Sequence, residues 1–397
     1  MRLTILLISL VLLPTLALAN MSRPMTEQTQ RQLSKAHACI KKGKPDCARK
    51  ILSQYMKHAT HPHPYGVVLY GSLLLEQNEL SQATQIFEKG YKDYPQCREI
   101  VHNLAVVRYE QERFKEAGNL FLESCNLSEK PIPTIRYQAS ACYYQATAYE
   151  LAYDAVRPLL ELEKVEPNWV KLAAHSLIQR KQWTQAEKVL VRFLRLSPTE
   201  HTYWKLLANV RIEHKKYKRA AAALEIAYRI QPPTEEERRN LSQLYLYIEA
   251  PLLSAHALED SFTSTPSAIV CDQLARAYLS AGRTEQALSM LNLAIHQDST
   301  SARWLTKGII LYGKRHYPEA VTALQQSADL NEKTGLAHFL IGMSLWEIQQ
   351  WKAAKNSFEI ATRYERYAKK AKKAIKSIDS MVDNERQSRL AQLNDLL

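Results

Sequence analysis

Small and apolar residues recur along most of the chain with the three-to-four-residue spacing of helices that bury one face. The stretch 201–233 shows this pattern most clearly. Trp204 and Ala208 share one face of a first predicted helix, and Ala220 lies on the buried face of a second. Pro232 then ends the second helix, because proline cannot continue the backbone hydrogen bonding. This stretch therefore predicts a hairpin of two helices.

The same hairpin pattern occurs ten times, and a small residue in each second helix marks its place. In chain order these residues are Ala48, Ala83, Ala117, Ala155, Ala186, Ala220, Ser254, Ala287, Ala320 and Ala354. Most intervals between them are 33 to 35 residues, and only the two intervals beside Ala155, of 38 and 31 residues, depart from this range. A period of this length is typical of repeats that stack on one another.

Two further positions keep the same phase. In nine of ten repeats a small residue stands twelve positions before the small residue of the second helix. The residues at these ten positions are Ala36, Gly71, Ala105, Tyr143, Ala174, Ala208, Ser242, Ala275, Gly308 and Gly342. A large apolar residue stands four positions after the marker, in the series Leu52, Phe87, Phe121, Leu159, Leu190, Leu224, Leu258, Leu291, Leu324 and Phe358. Tyr143 is the misfit, and Pro158 lies inside the second helix of the same repeat, so we expect a bend or a local irregularity there.

These spacings resemble the tetratricopeptide repeat, and the resemblance covers residues 30–365. It implies an all-α fold, in which about ten helix-turn-helix repeats form a right-handed superhelical solenoid with a concave inner face and a C-terminal capping helix. The composition agrees, because a chain with only 10 glycines in 397 residues favours helices.

The two ends of the chain differ from the repeats. Residues 1–19 combine Arg2, an apolar run and the sequence Ala17-Leu18-Ala19, which predicts a signal peptide cleaved after Ala19 and a periplasmic protein. An uncleaved membrane anchor is the alternative. We expect residues 20–30 to be a flexible lead-in, 31–365 to be the solenoid, and 366–397 to be basic C-terminal capping helices.

The net charge of +13 is spread over the chain, apart from one dense basic run at 363–376. Export argues against a nucleic acid partner. Attraction to an acidic protein or peripheral contact with an anionic membrane surface would suit the charge. The alternative is that the run is the solvated face of the capping helix.

Six cysteines lie in a chain for which an oxidising compartment is predicted. Cys39 and Cys47 flank a predicted helical turn, so we expect them to form a disulfide. For Cys125 we favour Cys97 as the partner, with Cys142 as the alternative. We expect Cys271 to be a buried thiol.

No sequence motif for catalysis, phosphate binding or metal binding is present, so we expect no enzyme activity, no cofactor and no metal. His58, His61 and His63 lie close together, but two prolines and the absence of neighbouring carboxylates indicate an exposed loop rather than a metal site.

The resemblance implies that the first helix of each repeat lines the concave groove through positions three before, one after and four after its small residue. In the ninth and tenth repeats these positions predict an apolar groove of Leu305, Ile309, Tyr312, Phe339, Met343 and Trp346. Such a strip marks a partner site for a helix or an extended peptide. The alternative is that the C-terminal helix folds back and covers it.

In the sixth to eighth repeats the same positions predict a basic part of the groove, formed by Lys205, Asn209, Arg239, Gln243 and Arg276. It resembles in part the clamp with which chaperone-binding repeats of this family hold two carboxylates. Lys205 and Asn209 match that clamp well and Arg276 loosely, whereas Arg239 and Gln243 depart from it. A groove of this charge suits an acidic segment.

Residues 203–259 carry a narrower resemblance. The segment LEIAYR, the turn PPTEEE and the helix pair LYLYIEAPLLSA are similar to exported repeat proteins associated with TonB and its motor proteins ExbB and ExbD. The resemblance implies a non-catalytic scaffold that binds TonB, ExbB or ExbD and supports outer-membrane transport. A periplasmic scaffold for polysaccharide export, pilus assembly or outer-membrane assembly is the alternative. A third hypothesis is an enzyme that uses the repeats to dock its substrate. No segment outside the repeats is large enough to hold a catalytic domain.

Overall fold

A computed structural model describes residues 24–130, 132–259, 266–331 and 335–394, with side chains as far as residue 384. Within these ranges the chain forms α-helices joined by short turns, and no strand occurs there. The prediction of an all-α fold is therefore confirmed. The predicted signal peptide, 1–19, lies outside the described residues.

The helices pair into ten hairpins, each made of an odd-numbered helix and the even-numbered helix that follows it. The first twelve are α1 Glu27–Lys41, α2 Pro45–His58, α3 Pro64–Glu76, α4 Leu80–Asp93, α5 Arg98–Glu110, α6 Phe114–Asn126, α7 Pro133–Gln145, α8 Tyr149–Val156, α9 Pro167–Gln179, α10 Trp183–Leu196, α11 His201–Glu213 and α12 Tyr217–Ile230. The others are α13 Glu235–Tyr247, α14 Pro251–Glu259, α15 Ala268–Ser280, α16 Thr284–Gln297, α17 Ser301–Gly313, α18 Tyr317–Leu330, α19 Gly335–Glu347, α20 Trp351–Ala361 and α21 Glu365–Asn394.

These helices fall into two compact units. Unit 1 ends at Gln231 and contains the six hairpins α1–α12. Unit 2 begins at Pro232 and contains the four hairpins α13–α20, followed by α21.

The turn inside every hairpin has the same backbone conformation. Seven residues after the small residue of each first helix, one residue adopts a left-handed conformation, and at eight of these ten places it is not glycine. In the sixth hairpin this residue is Lys215, with φ of 58°. The next amide, of Lys216, donates a hydrogen bond of 2.7 Å to the carbonyl of Arg211. This geometry ends the first helix and reverses the chain for the second.

The turn conformation corrects the register of the fourth hairpin. Its left-handed residue is Thr147, with φ of 56°, so the small position of α7 is Ser140 rather than Tyr143. The Ser140 hydroxyl donates a hydrogen bond of 2.6 Å to the carbonyl of Ala152, and both residues are buried. Ala152, and not Ala155, therefore marks α8. The intervals to the neighbouring markers become 35 and 34 residues, and the irregular spacing disappears.

The second helix of this hairpin is nevertheless shortened. α8 ends at Val156 and continues as a 3-10 helix, Arg157–Glu161, that carries Pro158 in its first turn. Proline has no amide hydrogen to donate and its ring disfavours a continuing α-helix, so the change of helix type occurs where a bend was expected.

Both ends of the described chain are more helical than predicted. α1 begins at Glu27, inside the predicted lead-in, because the Thr26 hydroxyl accepts a hydrogen bond of 3.2 Å from the amide of Thr29 and caps the helix. At the other end, α21 is one continuous helix through Asn394 where a basic helix followed by another was expected.

The cysteines follow the predicted arrangement only in part. Cys39 and Cys47 form a disulfide across the first turn, with Cα atoms 5.9 Å apart. The pair that we favoured for Cys97 and Cys125 is wrong, because both are free thiols that pack in different core clusters. Cys97 joins the cluster of the first three hairpins, and Cys125 joins the cluster of the third and fourth together with Cys142. Cys271 is buried as expected.

We predict that Gly308→Ala destabilises unit 2 whereas Gly313→Ala, in the same helix, does not. A methyl group at Gly308 would lie 2.5 Å from Cγ of the buried Leu324, and at Gly313 it would meet no atom within 4 Å. Both changes favour the helix, so their difference isolates the clash, for which we expect about 1–3 kcal/mol. Denaturant unfolding followed by circular dichroism measures it. Equal stabilities would contradict the close approach of α17 and α18.

We also predict that thiol titration at pH 8 gives little reaction in the folded protein and four reactive thiols after unfolding without reductant. Burial raises the pKa of Cys142 to about 12 and that of Cys97 to about 11, so neither is ionised at that pH. Reduction before titration should raise the count to six. Two thiols in the unreduced, unfolded protein would indicate a second disulfide.

Candidate functional site

In the ninth and tenth hairpins, which belong to unit 2, the first helices lie closer together than the second helices. α17 contacts α19, and α19 contacts α21, whereas consecutive second helices make at most marginal contact in the described ranges. In a curved stack the side on which helices lie closer together is the inner side. We therefore call the surface formed by the exposed side chains of α13, α15, α17 and α19 the inner face of unit 2.

The apolar strip predicted from the ninth and tenth hairpins lies on α17 and α19, and its members are not equally available. Five of them are half-buried and pack against the core of these hairpins: Leu305, Tyr312, Phe339, Met343 and Trp346. Ile309 differs, because 43% of its surface is exposed. Most of the strip is therefore packed against the core, and Ile309 is its exposed member.

The C-terminal helix covers one end of this strip. The ring of Tyr367, on α21, stacks on that of Phe339 with centroids 5.7 Å apart and an angle of 24° between the planes. The ring of Trp346 packs edge to face against the ring of Phe358, with ring centroids 6.5 Å apart. The expectation that the C-terminal helix folds back is thus met at Phe339, whereas Ile309 remains exposed.

The basic residues predicted for the groove do not belong to one unit. Lys205 and Asn209 lie on α11 in unit 1, whereas Arg239, Gln243 and Arg276 lie on α13 and α15 in unit 2. In unit 1 the Lys205 ammonium lies 5.4 Å from the ring centroid of Tyr228, close enough for a cation–π contact within its own hairpin. In unit 2, Gln243 and Arg276 are exposed and Arg239 is half-buried.

An ion pair that the sequence analysis missed sets the charge beside Arg276. Asp272 occupies the inward position three residues before Ala275, and its carboxylate accepts hydrogen bonds of 2.9–3.1 Å from the guanidinium of Arg303. The hydrogen bonds that Arg303 donates to Asp272, and then those to Asp298, raise the pKa of Arg303 above its usual value. Their separation of 31 residues, about one repeat, is the signal in the sequence that could have indicated the pair.

This pairing offsets the negative charge of Asp272 on the inner face of unit 2. Because the Asp272 carboxylate is already bound to Arg303, its negative charge is offset locally, and Arg276 presents its guanidinium to solvent four residues further along α15. The positions one residue after each small residue therefore read from polar to basic to apolar, in the order Gln243, Arg276, Ile309 and Met343. Such a row can hold a carboxylate and an apolar side chain, but it offers no nucleophile.

Neither metal binding nor membrane insertion has support in the described residues. They contain no group of three or more histidine, cysteine, aspartate or glutamate residues placed to hold a metal ion. His63 is buried rather than exposed, and its Nδ1 accepts a hydrogen bond of 3.2 Å from the amide of Tyr65 as the cap of α3. No helix within the described ranges combines the length and the apolar character that a bilayer crossing requires.

Comparison with solved structures gives distant similarities to helical repeat proteins. The APC/C hetero-tetramer Cut9–Hcn1 is 10% identical over 89% of this chain and 96% of the other, with a TM-score of 0.42. Yeast Tom70 is 11% identical over 91% and 96%, with a TM-score of 0.34. YrrB, a TPR protein with an unusual peptide-binding site, is 15% identical over 50% and 97%, with a TM-score of 0.39. These likenesses are too distant to carry an inference about function.

Comparison of sequences identifies a known repeat in one part of the chain. No curated protein matches the sequence. Residues 171–234 match the family model of the tetratricopeptide repeat, and this range covers most of α9, all of α10 to α12 and the turn that follows. The other hairpins repeat the same turn geometry and the same small positions. The chain therefore contains tetratricopeptide repeats.

Proposed function

We propose that this protein is an exported, non-catalytic scaffold that binds a segment of another protein on the inner face of unit 2. The observation that carries the proposal is the apolar strip on α17 and α19, in which Ile309 is exposed and the other members are half-buried, together with the exposed Arg276 on α15. Repeat proteins of this kind stack their helices to bury apolar residues, so an apolar side chain left on the inner face favours a partner that covers it.

The positions of Arg276 and Ile309 favour a particular kind of segment. Arg276 and Ile309 occupy equivalent positions in consecutive hairpins, one residue after the small residues Ala275 and Gly308. A bound segment would place an acidic side chain at Arg276 and an apolar side chain at Ile309. The guanidinium would attract the carboxylate, and burial of the isoleucine would supply the apolar contact.

The finer part of the proposal concerns compartment and partner. Residues 1–19 have the pattern of an export signal, and the disulfide between Cys39 and Cys47 suits an oxidising compartment such as the periplasm. The likeness of residues 203–259 to exported proteins associated with TonB supports a role in a TonB-type energy-transduction complex, with TonB, ExbB or ExbD as the partner.

We predict that the tagged protein, purified from crosslinked cells, recovers TonB, ExbB or ExbD from the envelope. Deletion of the gene should reduce uptake through TonB-dependent transporters. If none of the three proteins is recovered and uptake is normal in the deletion strain, the proposed role in a TonB-type complex is contradicted. Recovery of a polysaccharide-export, pilus or outer-membrane assembly component would favour another envelope scaffold.

We further predict that Ile309→Asp weakens binding of the recovered partner about tenfold, because a charge replaces the apolar contact of a half-exposed side chain. Arg276→Glu should weaken binding and reduce its sensitivity to salt. Calorimetric titration measures both effects. Gln326→Asp, which adds the same charge at an exposed position of the second helix α18, is the matched control.

The two tests separate the identity of the partner from the location of the site. If a partner other than the TonB proteins binds and Ile309→Asp weakens it, the face is right and the assignment is wrong. If Ile309→Asp and Gln326→Asp bind the partner equally well, the inner face of unit 2 is not the site.

A further inference from the structure

The exposed side of α21 carries a continuous row of positive charge. Arg366, Lys369, Lys370, Lys373 and Lys376 are all exposed, and each lies three or four residues from at least one other, so they share one face of the helix. They extend over ten residues, or about 15 Å of helix. We call these five residues the basic stripe.

The stripe faces away from the protein because the other side of α21 is the packed side. Ala371 and Ile378 are fully or almost fully buried, and Ala374 and Ile375 are half-buried against the same core. Tyr367 anchors the start of the helix by stacking on Phe339, and Lys355 of α20 binds Asp379 of α21 at 2.7 Å. The orientation of the stripe is therefore fixed by packing on unit 2.

A cap that only had to be soluble would not need this arrangement. Residues four apart on a helix are neighbours, and the pairs Arg366–Lys370 and Lys369–Lys373 place like charges together, which destabilises a helix. No ion pair to any stripe residue occurs among the side chains described. Alternating lysine and glutamate would give the same solubility with a stabilising effect. The stripe thus has a cost in stability that capping alone does not explain.

We propose that the basic stripe of α21 binds the surface of a membrane that contains anionic phospholipids. The stripe lies on a single helix, and Tyr367, the aromatic residue between its bases, is already stacked on Phe339 and is not free to anchor a peptide. A peptide partner would need such an anchor for its affinity, whereas a headgroup layer is broad and needs only charge. Four of the five bases are lysines, whose compact ammonium groups suit attraction without fixed geometry.

One apolar residue beside the stripe fits a lipid surface. Met381 follows Lys370 by eleven residues, or about three turns of helix, so the two side chains point in similar directions. Its side chain is 42% exposed. At a bilayer it would reach the boundary between headgroups and acyl chains, whereas the bases would stay among the phosphates.

The test is sedimentation of the full-length processed protein with vesicles of phosphatidylcholine alone or with added phosphatidylglycerol. We expect binding only to the anionic vesicles and its loss at high salt. The variant with Lys369→Gln, Lys370→Gln and Lys373→Gln should bind about 100-fold more weakly, since each lysine near an anionic surface contributes roughly a fivefold factor. Glutamine preserves helix propensity, so α21 should remain folded.

A second triple variant provides the matched control. Lys115→Gln, Lys188→Gln and Lys218→Gln remove the same charge from exposed positions on three separate helices. This variant should keep nearly all of the vesicle binding. Circular dichroism and thermal unfolding of both variants verify the fold, and we expect the stripe variant to be at least as stable as the original protein because its like-charge pairs are gone.

Three results would overturn the proposal. The first is an equal loss of vesicle binding in the two triple variants, which would show that only net charge matters. The second is the absence of binding to anionic vesicles. The third is binding to poly-glutamate or to a nucleic acid that depends on the stripe, without binding to vesicles, which would assign the stripe to an acidic macromolecule instead.

Discussion

The close approach of the two helices in each hairpin is the constraint on which the rest of the structure depends. It can be seen where the small residue is glycine. A methyl group at Gly71 would meet the ring of Phe87 at 2.3 Å, and one at Gly342 would meet the ring of Phe358 at 2.7 Å. In both hairpins the ring belongs to the large residue sixteen positions later, so the small and the large residue form one packed unit that repeats along the chain.

This packing decides which side chains are available for recognition. The small and large positions of a hairpin are used up by contacts inside the protein, and the left-handed residue between the helices fixes the turn. The inward positions on the first helices take less part in the packing within a hairpin. Their identity can therefore vary from Gln243 to Arg276 to Ile309 without loss of the fold. The candidate binding face of unit 2 consists of those variable positions, and the basic stripe of α21 is likewise a set of side chains that packing leaves free.

The sequence predicted the helical hairpins well because each one is specified locally. The fourth hairpin shows the limit of that reasoning. Tyr143 and Ala155 fit the series of small positions only with irregular intervals, whereas Ser140 and Ala152 fit it with regular ones. Requiring an interval of 33 to 35 residues in every repeat would have identified Ser140 and Ala152. Ser140 serves as the small residue of α7, and its buried hydroxyl also donates a hydrogen bond to the facing helix.

Contacts that depend on side-chain direction could not be predicted in the same way. Cys97 and Cys125 belong to one hairpin but point into different core clusters, so their proximity in sequence was misleading. The stacking of Tyr367 on Phe339 depends on how α21 docks, and the pairing of Asp272 with Arg303 joins different hairpins. The predicted basic groove was likewise drawn through Lys205 and Arg276 without a signal that the chain divides into two units between them.

Site-specific photocrosslinking in cells tests the central claim most directly. A photoreactive amino acid at Ile309 probes the inner face of unit 2, and the same residue at Gln326 probes the outer helix α18. We expect a protein adduct of defined mass to form from position 309 and not from position 326. Adducts of equal yield from both positions, or none from position 309, would contradict the claim that this face binds a partner.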